Sequence, residues 1–303
     1  MSPHIVLLGE ALVDRLPSGS VAAGAPLNAA RHLRALGCAP LLVSRIGAQD
    51  EEGARIQAAM RQADLALDGL QLDPLHPTGV VDVLMSGHQH RFVIAANAAW
   101  DHIDAGQALT GLQSAPAPML YFGSLAQRAP ASRAAIRAAL DASAGRRYLD
   151  LNLREGVGDL QAIALESLRL AHWVKLNDEE LLQVLGWTGL PNASALVQHF
   201  GLERLLVTRG AQGYQSFNAQ GLCDAEGAGV VVEHLVDTVG AGDAFSAFLL
   251  AAHLQGRAWA PALALANRFS AAMCGQAGAS ASDPASFYPP WRAALAALPK
   301  ELG

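Results

Sequence analysis

The chain has 303 residues, of which 51% are hydrophobic and 16% charged, so it can build a sizeable core and does not have the composition of a disordered protein. Its formal net charge is −6 and it has no dense basic run, which leaves a nucleic-acid partner without an electrostatic footprint. Three widely spaced cysteines fit neither a disulfide framework nor a zinc site, and no apolar run reaches membrane-spanning length. We therefore expect a cytoplasmic protein that binds neither nucleic acid nor a membrane.

Short, continuous apolar runs alternate with helical segments along the chain. The runs predicted as strands are His4–Gly9, Pro40–Ile46, Met119–Phe122, Arg147–Leu151, Trp173–Leu176 and Leu205–Thr208. The predicted helices are Glu51–Ala63, Ala131–Ala142, Asp178–Leu185 and Ala193–Phe200. Continuous apolar strands between helices are typical of a mainly parallel sheet that is covered on both faces. The pattern predicts a single α/β domain over residues 1–303.

Two β-rich stretches, at roughly 12–23 and 78–97, interrupt this alternation. The second has the pattern of a hairpin that turns at Ser86-Gly87-His88. We predict that the two stretches form a small separate β-sheet, a lid over the main body. A third β-rich stretch, Gly213–Val232, is predicted to add antiparallel strands at the edge of the main sheet. The segment Val230–Val236 is also predicted to be β-rich.

A glycine-rich loop follows that segment and precedes an apolar helix, Ala244–Leu254. Glycines let a backbone approach an anion closely, and the first amides of a helix attract negative charge. An aspartate at such a turn repels phosphate, but it can remove the proton from a hydroxyl group that attacks the phosphate. We predict that Asp243 is a catalytic base and that the amides of Gly240, Ala241 and Gly242 stabilise developing charge. The alternative is that Asp243 only caps the helix.

Two other glycine motifs do not describe this loop. A Walker A loop requires a Gly-Lys-Ser/Thr sequence, and none follows. A nicotinamide oxidoreductase requires a glycine-rich turn after the first strand, which Gly9-Glu10-Ala11 does not supply.

The sequence DTVGAGDAF at 237–245 resembles the C-terminal signature of the ribokinase-like (PfkB) family of carbohydrate kinases. The run from Gly24 to Ala30, and the segment from Arg45 to Gly53, are similar to the N-terminal signature of this family. The two signatures occur in the order that the family shows, and the resemblance extends over nearly the whole chain. It implies an α/β fold with a β-lid and transfer of the γ-phosphoryl group of ATP to a sugar hydroxyl group.

The resemblance also implies roles for individual residues. Asp243 matches the catalytic base, and Asp14 matches the acid that holds sugar hydroxyl groups under the lid. Gly24 and Asn28 match further sugar contacts. Taken alone, Asp14 has the alternative of a turn residue after the first strand.

Magnesium and a monovalent cation are implied in the same way. Asn177 and Glu180 are similar to an Asn-x-x-Glu motif that organises Mg²⁺ and phosphates, often through water. These two residues also fit a plain helix start, and both interpretations can hold together. Asp237 and the Val239 carbonyl group match a monovalent-cation site, which implies activation by K⁺.

The remaining implied contacts lie in loops and helices of the second half of the chain and at the end of the lid. The turn with Thr208, Gly210 and Gly213 resembles a nucleotide-binding turn, and Asn267 resembles the adenine-side segment. The alternative for Asn267 is an exposed helix residue. Two more substrate-binding residues are implied, Asn97 at the lid and Arg154 after the strand Arg147–Leu151.

The substrate indications point in two directions. The run Asp150-Leu151-Asn152-Leu153-Arg154 resembles fructokinases and 2-keto-3-deoxygluconate kinases, whereas Ile94–Asn97 is closer to ribokinases. Ala23 replaces a usual glycine, and Ser124 stands where ribokinases tend to carry glutamate. We expect a fructokinase-like sugar kinase, with ribose or 2-keto-3-deoxygluconate as alternative substrates. A nucleoside kinase and a non-catalytic sugar or nucleotide sensor are the further alternatives for the function. The lids of this family often pair between subunits, so the resemblance also implies a homodimer.

Overall fold

The apolar runs form the inner strands of a central sheet in the computed structural model, which describes residues 4–16, 19–86, 89–114, 117–154 and 158–301. The strands in these residues are β1 (Ile5–Leu8), β2 (Leu12–Leu16), β3 (Gly19–Ala23), β4 (Pro40–Gly47), β5 (Leu70–Asp73), β6 (Gly79–Ser86), β7 (Gln89–Ile94), β8 (Met119–Gly123), β9 (Arg146–Asp150), β10 (Trp173–Asn177), β11 (Arg204–Thr208), β12 (Tyr214–Asn218) and β13 (Cys223–Gly227). All six predicted strands are confirmed.

The described helices include the four that the sequence pattern predicts. They are α1 (Ala25–Ala35), α2 (Glu51–Gln62), α3 (Ala105–Ser114), α4 (Pro130–Ala142), α5 (Leu160–Leu170), α6 (Asp178–Thr188), α7 (Ala193–Phe200), α8 (Ala241–Leu254), α9 (Trp259–Met273) and α10 (Pro284–Ala297). The helix after the glycine-rich loop begins at Ala241, three residues earlier than predicted, so Asp243 lies inside its first turn. None of the helices in the described ranges is long and apolar enough to cross a membrane.

The central sheet is parallel except at one edge. In the described residues its strand order is β13-β12-β11-β10-β9-β8-β1-β4-β5, and only the pairs β11–β12 and β12–β13 are antiparallel. Alternate residues of β1 enter two separate hydrophobic clusters, Ile5 and Leu7 on one face and Val6 and Leu8 on the other. Both faces of the sheet are therefore covered, as continuous apolar strands predict.

The two β-rich stretches form a separate sheet of four strands in the described residues, in the order β3-β2-β6-β7. The central pair β2–β6 is parallel, and β3 and β7 are antiparallel edge strands. The predicted small sheet is thus present, with its hairpin between β6 and β7. The predicted turn residues Gly87 and His88 lie outside the described residues.

The prediction for the segment before the glycine-rich loop is wrong. Residues Val230–Val236 contain no strand, and β13 ends at Gly227 instead of reaching Val232. Valine-rich sequence favours strands only where a neighbouring strand and a packing surface exist. Here the Val231 side chain is 87% exposed, and the amide of Val236 donates to the Cys274 carbonyl oxygen after α9 instead of to a strand.

Candidate active site

Asp243 lies at the start of α8, directly after the glycine-rich turn. Gly240 has the left-handed φ of 76°, and a Cβ atom there would lie 2.7 Å from the Ala279 Cα atom. Glycine is required at this position because of both its backbone angle and the approach of the 279 segment. The first amides of α8 follow this turn. They have no hydrogen-bond acceptor within the helix, so they are available to an anion.

The Asp243 carboxyl group is buried between two helices. The Asn28 Nδ2 group, on α1, donates a 2.9 Å hydrogen bond to Asp243 Oδ2. Burial and the nearby Asp150 carboxylate raise the pKa of Asp243 to about 6, although Asn28, Lys175 and Arg154 counteract the rise. An acid with this pKa is ionised at neutral pH and is a stronger base than an ordinary aspartate, which suits proton removal from an alcohol.

A buried ion pair between Lys175 and Asp150 lies next to this site. Lys175 Nζ, on β10, lies 3.0 Å from Asp150 Oδ1, at the end of β9. Ser246 donates to Asp150 Oδ2 over 2.8 Å, and Tyr148 donates to Ser246 over 2.9 Å. The charge of Asp150 is therefore satisfied by one cation and one hydroxyl group, as buried charges require. No sequence motif assigned Lys175 or Ser246 to the site, although a lysine within a continuous apolar strand was a usable signal.

The residues predicted to bind the sugar come from three segments of the chain: the small sheet, the start of α1 and the loop after β9. Asp14 lies in β2, a central lid strand. Burial raises the pKa of Asp14 to about 6, and Arg154 lowers it. The exposed Arg154 also lowers the pKa of Asp243. Gly24 precedes α1 with φ 115°, and a Cβ atom there would lie 2.5 Å from the Glu10 carbonyl oxygen. Arg154 thus acts on both Asp14 and Asp243, and Asn28 is hydrogen-bonded to Asp243.

Glu10 is a third residue near Asp243 to which no sequence motif gave a role. It follows β1 and is 3% exposed. Its Oε1 atom accepts a 3.3 Å hydrogen bond from the amide of Ala25, in the first turn of α1, whereas its Oε2 atom has no partner. Burial raises the pKa of Glu10 to about 7, and Asp243 contributes to the rise. A carboxyl group next to an entirely apolar strand was the available signal.

Asn177 and Glu180 form a reciprocal capping box at the start of α6. The Asn177 side chain accepts from the Glu180 amide, and Glu180 Oε2 accepts from the Asn177 amide, each at 2.8 Å. Glu180 Oε1 also accepts a 2.7 Å hydrogen bond from the Leu153 amide. The helix-start interpretation is therefore present in the structure. A carboxylate has about four lone-pair sites, so Glu180 retains acceptor capacity for a water molecule on a cation.

The predicted nucleotide turn joins β11 to β12. Gly210 and Gly213 have positive φ angles of 49° and 95°, and the Arg209 amide donates to the Gly213 carbonyl oxygen over 2.7 Å. Thr208, at the end of β11, donates to the Leu176 carbonyl oxygen over 3.4 Å. The carboxyl ends of β10 and β11 lie side by side, so this turn is at the same sheet edge as Asn177.

Two loops meet at Asp237. Its Oδ1 atom accepts a 3.0 Å hydrogen bond from the Val239 amide, and its Oδ2 atom accepts one of 3.0 Å from the Gly278 amide. Asn267, in the interior of α9, donates a 2.9 Å hydrogen bond to the Ala228 carbonyl oxygen. Asp237 and Asn267 thus hold the irregular 228–240 segment against α9 and the loop after it.

Asn97 lies where the chain returns from the lid to the main body. It has the left-handed φ of 53°, which asparagine tolerates better than most residues. Its Oδ1 atom is 2.9 Å from His102 Nε2. The described hydrogen bond of this side chain is therefore made to His102, five residues further along the chain, and not to Asp14 or Asp243.

The comparisons with known proteins agree with this arrangement. The profile of the "pfkB family carbohydrate kinase" matches residues 18–286. A fructokinase of Klebsiella pneumoniae is 31% identical over 265 residues, which cover 83% of this chain and 84% of that protein. A fructokinase of Salmonella typhimurium is 30% identical over 273 residues, with coverage of 83% and 84%.

A solved structure has the same fold. It is a double mutant of fructokinase from Vibrio cholerae O395 in a fructose-, ADP- and potassium-ion-bound form, and it is 27% identical to this chain. It aligns with a TM-score of 0.78 over 92% of this chain and 94% of its own. Since the family profile covers most of the sequence, and the fold and the glycine-rich turn agree with it, the chain belongs to the pfkB family of carbohydrate kinases.

Proposed function

We propose that this carbohydrate kinase transfers the γ-phosphoryl group of ATP to a hydroxyl group of fructose. The observation that carries the proposal is the buried Asp243 carboxylate, which is held by Asn28 and lies in the first turn of α8 beside the glycine-rich loop. Fructose is the first choice because relatives of about 30% identity over most of their length are fructokinases.

In the proposed reaction Asp243 accepts the proton of the attacking sugar hydroxyl group. The sugar oxygen then bonds to the γ-phosphorus atom, and the bond from that atom to the β–γ bridging oxygen breaks, so ADP leaves. The amides of Gly240, Ala241 and Gly242 stabilise the negative charge that develops on the transferred group. Asp14, Gly24, Asn28, Asn97 and Arg154 are proposed to position the sugar.

The nucleotide is proposed to lie along the edge formed by Asn177, Thr208, Gly210 and Gly213, with adenine near Asn267. A depression of about 380 Å³ between the 230–234 segment and α9 is lined by Arg268, the neighbour of Asn267 in sequence, and its size falls in the range of small-molecule sites, which supports this position for adenine. Val230 and Val231 line it with the apolar surface that a purine ring needs. In this arrangement the γ-phosphate points toward the start of α8.

Two cations are part of the proposal. Glu180 fits Mg²⁺ through water, because both of its carboxylate oxygens are already occupied by backbone amides but retain acceptor capacity. A bound Mg²⁺ neutralises phosphate charge. Asp237 and the Val239 carbonyl group are proposed to hold K⁺, and a potassium ion is present in the Vibrio cholerae fructokinase structure.

We also propose that the chain acts in the cytoplasm and forms a homodimer through the lid. The exposed apolar side chains of Val21 on β3 and Val93 on β7 support the dimer, since both lie on edge strands of the lid. Edge strands with exposed apolar residues are surfaces that a second chain can cover.

The test is ATP consumption with fructose, ribose, 2-keto-3-deoxygluconate and adenosine, in the presence of Mg²⁺ and with or without K⁺. We expect fructose to be the best acceptor and the Asp243→Asn variant to lose about 100- to 10,000-fold in kcat, the range of general-base catalysis. The exposed Asp68→Asn variant is the matched control. Full activity of Asp243→Asn would refute the base assignment, and turnover of another acceptor in preference to fructose would refute the substrate.

A further inference from the structure

Two buried oxygen atoms near Asp243 lack hydrogen-bond donors. One is Glu10 Oε2 and the other is Asn28 Oδ1. Both residues are nearly fully buried, at 3% and 5% exposure, and neither oxygen atom is open to solvent. A sugar in the cleft therefore cannot reach these two oxygen atoms in this structure, so their partner is internal, and the proposed sugar contact of Asn28 falls to its Nδ2 group. An unsatisfied buried acceptor costs about 1–3 kcal/mol, which makes two of them in one place a feature to be explained.

The two residues are neighbours through α1. Glu10 Oε1 accepts from the amide of Ala25, the first residue of α1, and Asn28 lies three residues further along the same helix. The Asn28 side chain therefore links the start of α1, which Glu10 contacts, to Asp243. On its Asp243 side it donates through Nδ2, and its other end is the unpartnered Oδ1 atom.

A glutamate proton satisfies both atoms at once. An ionised Glu10 and the Asn28 carbonyl group are both acceptors only, whereas a protonated Glu10 is a donor. The hydroxyl group of Tyr121, on β8, is also buried without a partner, but it can supply only one hydrogen and so leaves one of the two oxygens unsatisfied. Burial favours the protonated form of Glu10 most strongly. Of the charged groups that act on it, the Asp243 carboxylate on α8 also favours this form, and the Arg154 guanidinium after β9 opposes it.

We propose that the Glu10 carboxyl group carries a proton when the site is at rest and donates it to Asn28 Oδ1, which fixes the Asn28 amide in the orientation that holds Asp243. Glu10 is then a positioning residue for the catalytic base. With the amide reversed, its oxygen would face the Asp243 carboxylate and repel it. The inference rests on the proposed function for its consequence in catalysis, but the protonation of Glu10 can be measured without any turnover.

The pKa of Glu10, raised to about 7 by burial and by Asp243 and partly lowered by backbone amides and Arg154, sets the pH range. Below about pH 7 the donor is present. As the pH rises above about 7, Glu10 loses its proton, the Asn28 amide loses its anchor, and a negative charge appears next to Asp243. Activity is therefore expected to decline on the alkaline side.

The kinetic test compares Glu10→Gln with Glu10→Met. Glutamine keeps one acceptor and one donor without a charge, so we expect kcat to stay within about tenfold of the wild type and its alkaline decline to disappear. Methionine fills similar volume without a donor, and we expect a loss of about 100-fold in kcat, the size of effect that a displaced catalytic group produces. Glu51→Gln, at an exposed site on α2, controls for the substitution itself. Equal kcat values for Glu10→Gln and Glu10→Met, whether both high or both low, would overturn the proposal.

The second test is an infrared difference spectrum between about pH 6 and pH 8.5. Asp14 and Asp243, with pKa values of about 6, also contribute carboxylic-acid bands at the lower pH. The Glu10 band is therefore the part of the carbonyl signal that is present in the wild type and in Glu51→Gln and absent in Glu10→Gln. An ionised Glu10 that is bridged to Asn28 by a buried water molecule gives no such band, and that result would overturn the proposal even if no variant folds well enough for kinetics. A chain that phosphorylates no sugar but shows the band would fail the proposed function and keep this inference.

Discussion

The ammonium group of Lys175 lies directly behind Gly242: a Cβ atom at residue 242 would come within 2.7 Å of Lys175 Nζ. The ion pair with Asp150 fixes the position of Nζ, so the lysine cannot simply move aside. A positive charge therefore lies against the turn at which negative charge is proposed to develop. A fixed charge in a site without water acts more strongly there than it would in solvent.

This packing predicts graded effects of alanine at three glycines. Gly242→Ala presses on the tip of a side chain, and we expect a destabilisation of about 1–3 kcal/mol, as for other overpacked sites, with a fall in kcat. Gly240→Ala meets the Ala279 backbone and forces an L-residue into a left-handed conformation, so it should cost more. Gly186→Ala, in α6 with open space around it, should stabilise by about 0.5–1 kcal/mol. Urea denaturation measures the series, and equal effects at residues 240 and 186 would contradict it.

The buried ion pair between Lys175 and Asp150 predicts non-additive substitutions. Lys175→Met leaves the Asp150 carboxylate buried with only the Ser246 hydroxyl group as described partner, and we expect a loss of about 3–5 kcal/mol in the free energy of unfolding. Combining it with Asp150→Asn removes the stranded charge, so the double variant should be more stable than Lys175→Met alone. A double-mutant cycle in urea measures the coupling, and simple additivity of the two changes would show that the pair is not electrostatically linked.

The sequence was sufficient for the sheet and the lid because both depend on local pattern. Continuous apolar runs can only be buried strands in a covered sheet, and the chain has enough of them to define one. It was insufficient for Val230–Val236, where a strand-like composition found no strand to pair with. It also missed Glu10 and Lys175, which lie more than 60 residues from Asp243 in the sequence, and Ser246, whose partner Asp150 is equally remote from it. Such contacts depend on the tertiary arrangement and not on any local motif.

The raised pKa of Asp243 predicts the acid side of the pH profile. A base must be ionised to accept a proton, and the pKa of Asp243 is about 6 because of burial and the Asp150 charge. We expect kcat to be level above about pH 6 up to the alkaline decline and to fall about tenfold per pH unit below it. The measurement is kcat with saturating fructose and ATP from about pH 5 to 9. A rate that stays constant down to about pH 5 would contradict the assignment.

The raised pKa of Asp243 also predicts that the protein becomes more stable when the charge of this side chain is removed. The folded-state pKa of Asp243 lies about two units above the ordinary value of 3.8, so its ionisation opposes folding at every pH above about 6. Asp243→Asn should therefore be more stable than the wild type at about pH 7.5, by a few kcal/mol at most. The gain should shrink as the pH falls and vanish below about pH 4, where the carboxyl group is protonated in both states. Tm values of the two proteins at these pH values decide the point, with Asp68→Asn as the surface control.

Arg128 joins the lid to the main body. We therefore expect its substitution to raise the KM for the sugar more than the KM for ATP. Its guanidinium group contacts Asp101 through two hydrogen bonds of 2.7 Å, donates to the Ala95 carbonyl oxygen at the end of the lid over 2.6 Å, and lies 3.9 Å above the Trp100 ring. Lysine cannot reproduce this planar set of contacts. For Arg128→Lys we expect the KM for fructose to rise about tenfold or more, because Asp14 lies in the lid, while the KM for ATP changes little.

The control for this change is Arg137→Lys, on α4, whose ion pair with Glu166 on α5 is more exposed. An exposed pair contributes about 0–1 kcal/mol, so both KM values should stay near those of the wild type. Steady-state kinetics with each substrate varied in turn measure the difference. A rise of both KM values by the same factor in Arg128→Lys would show that the arginine stabilises the whole domain and does not set the position of the lid.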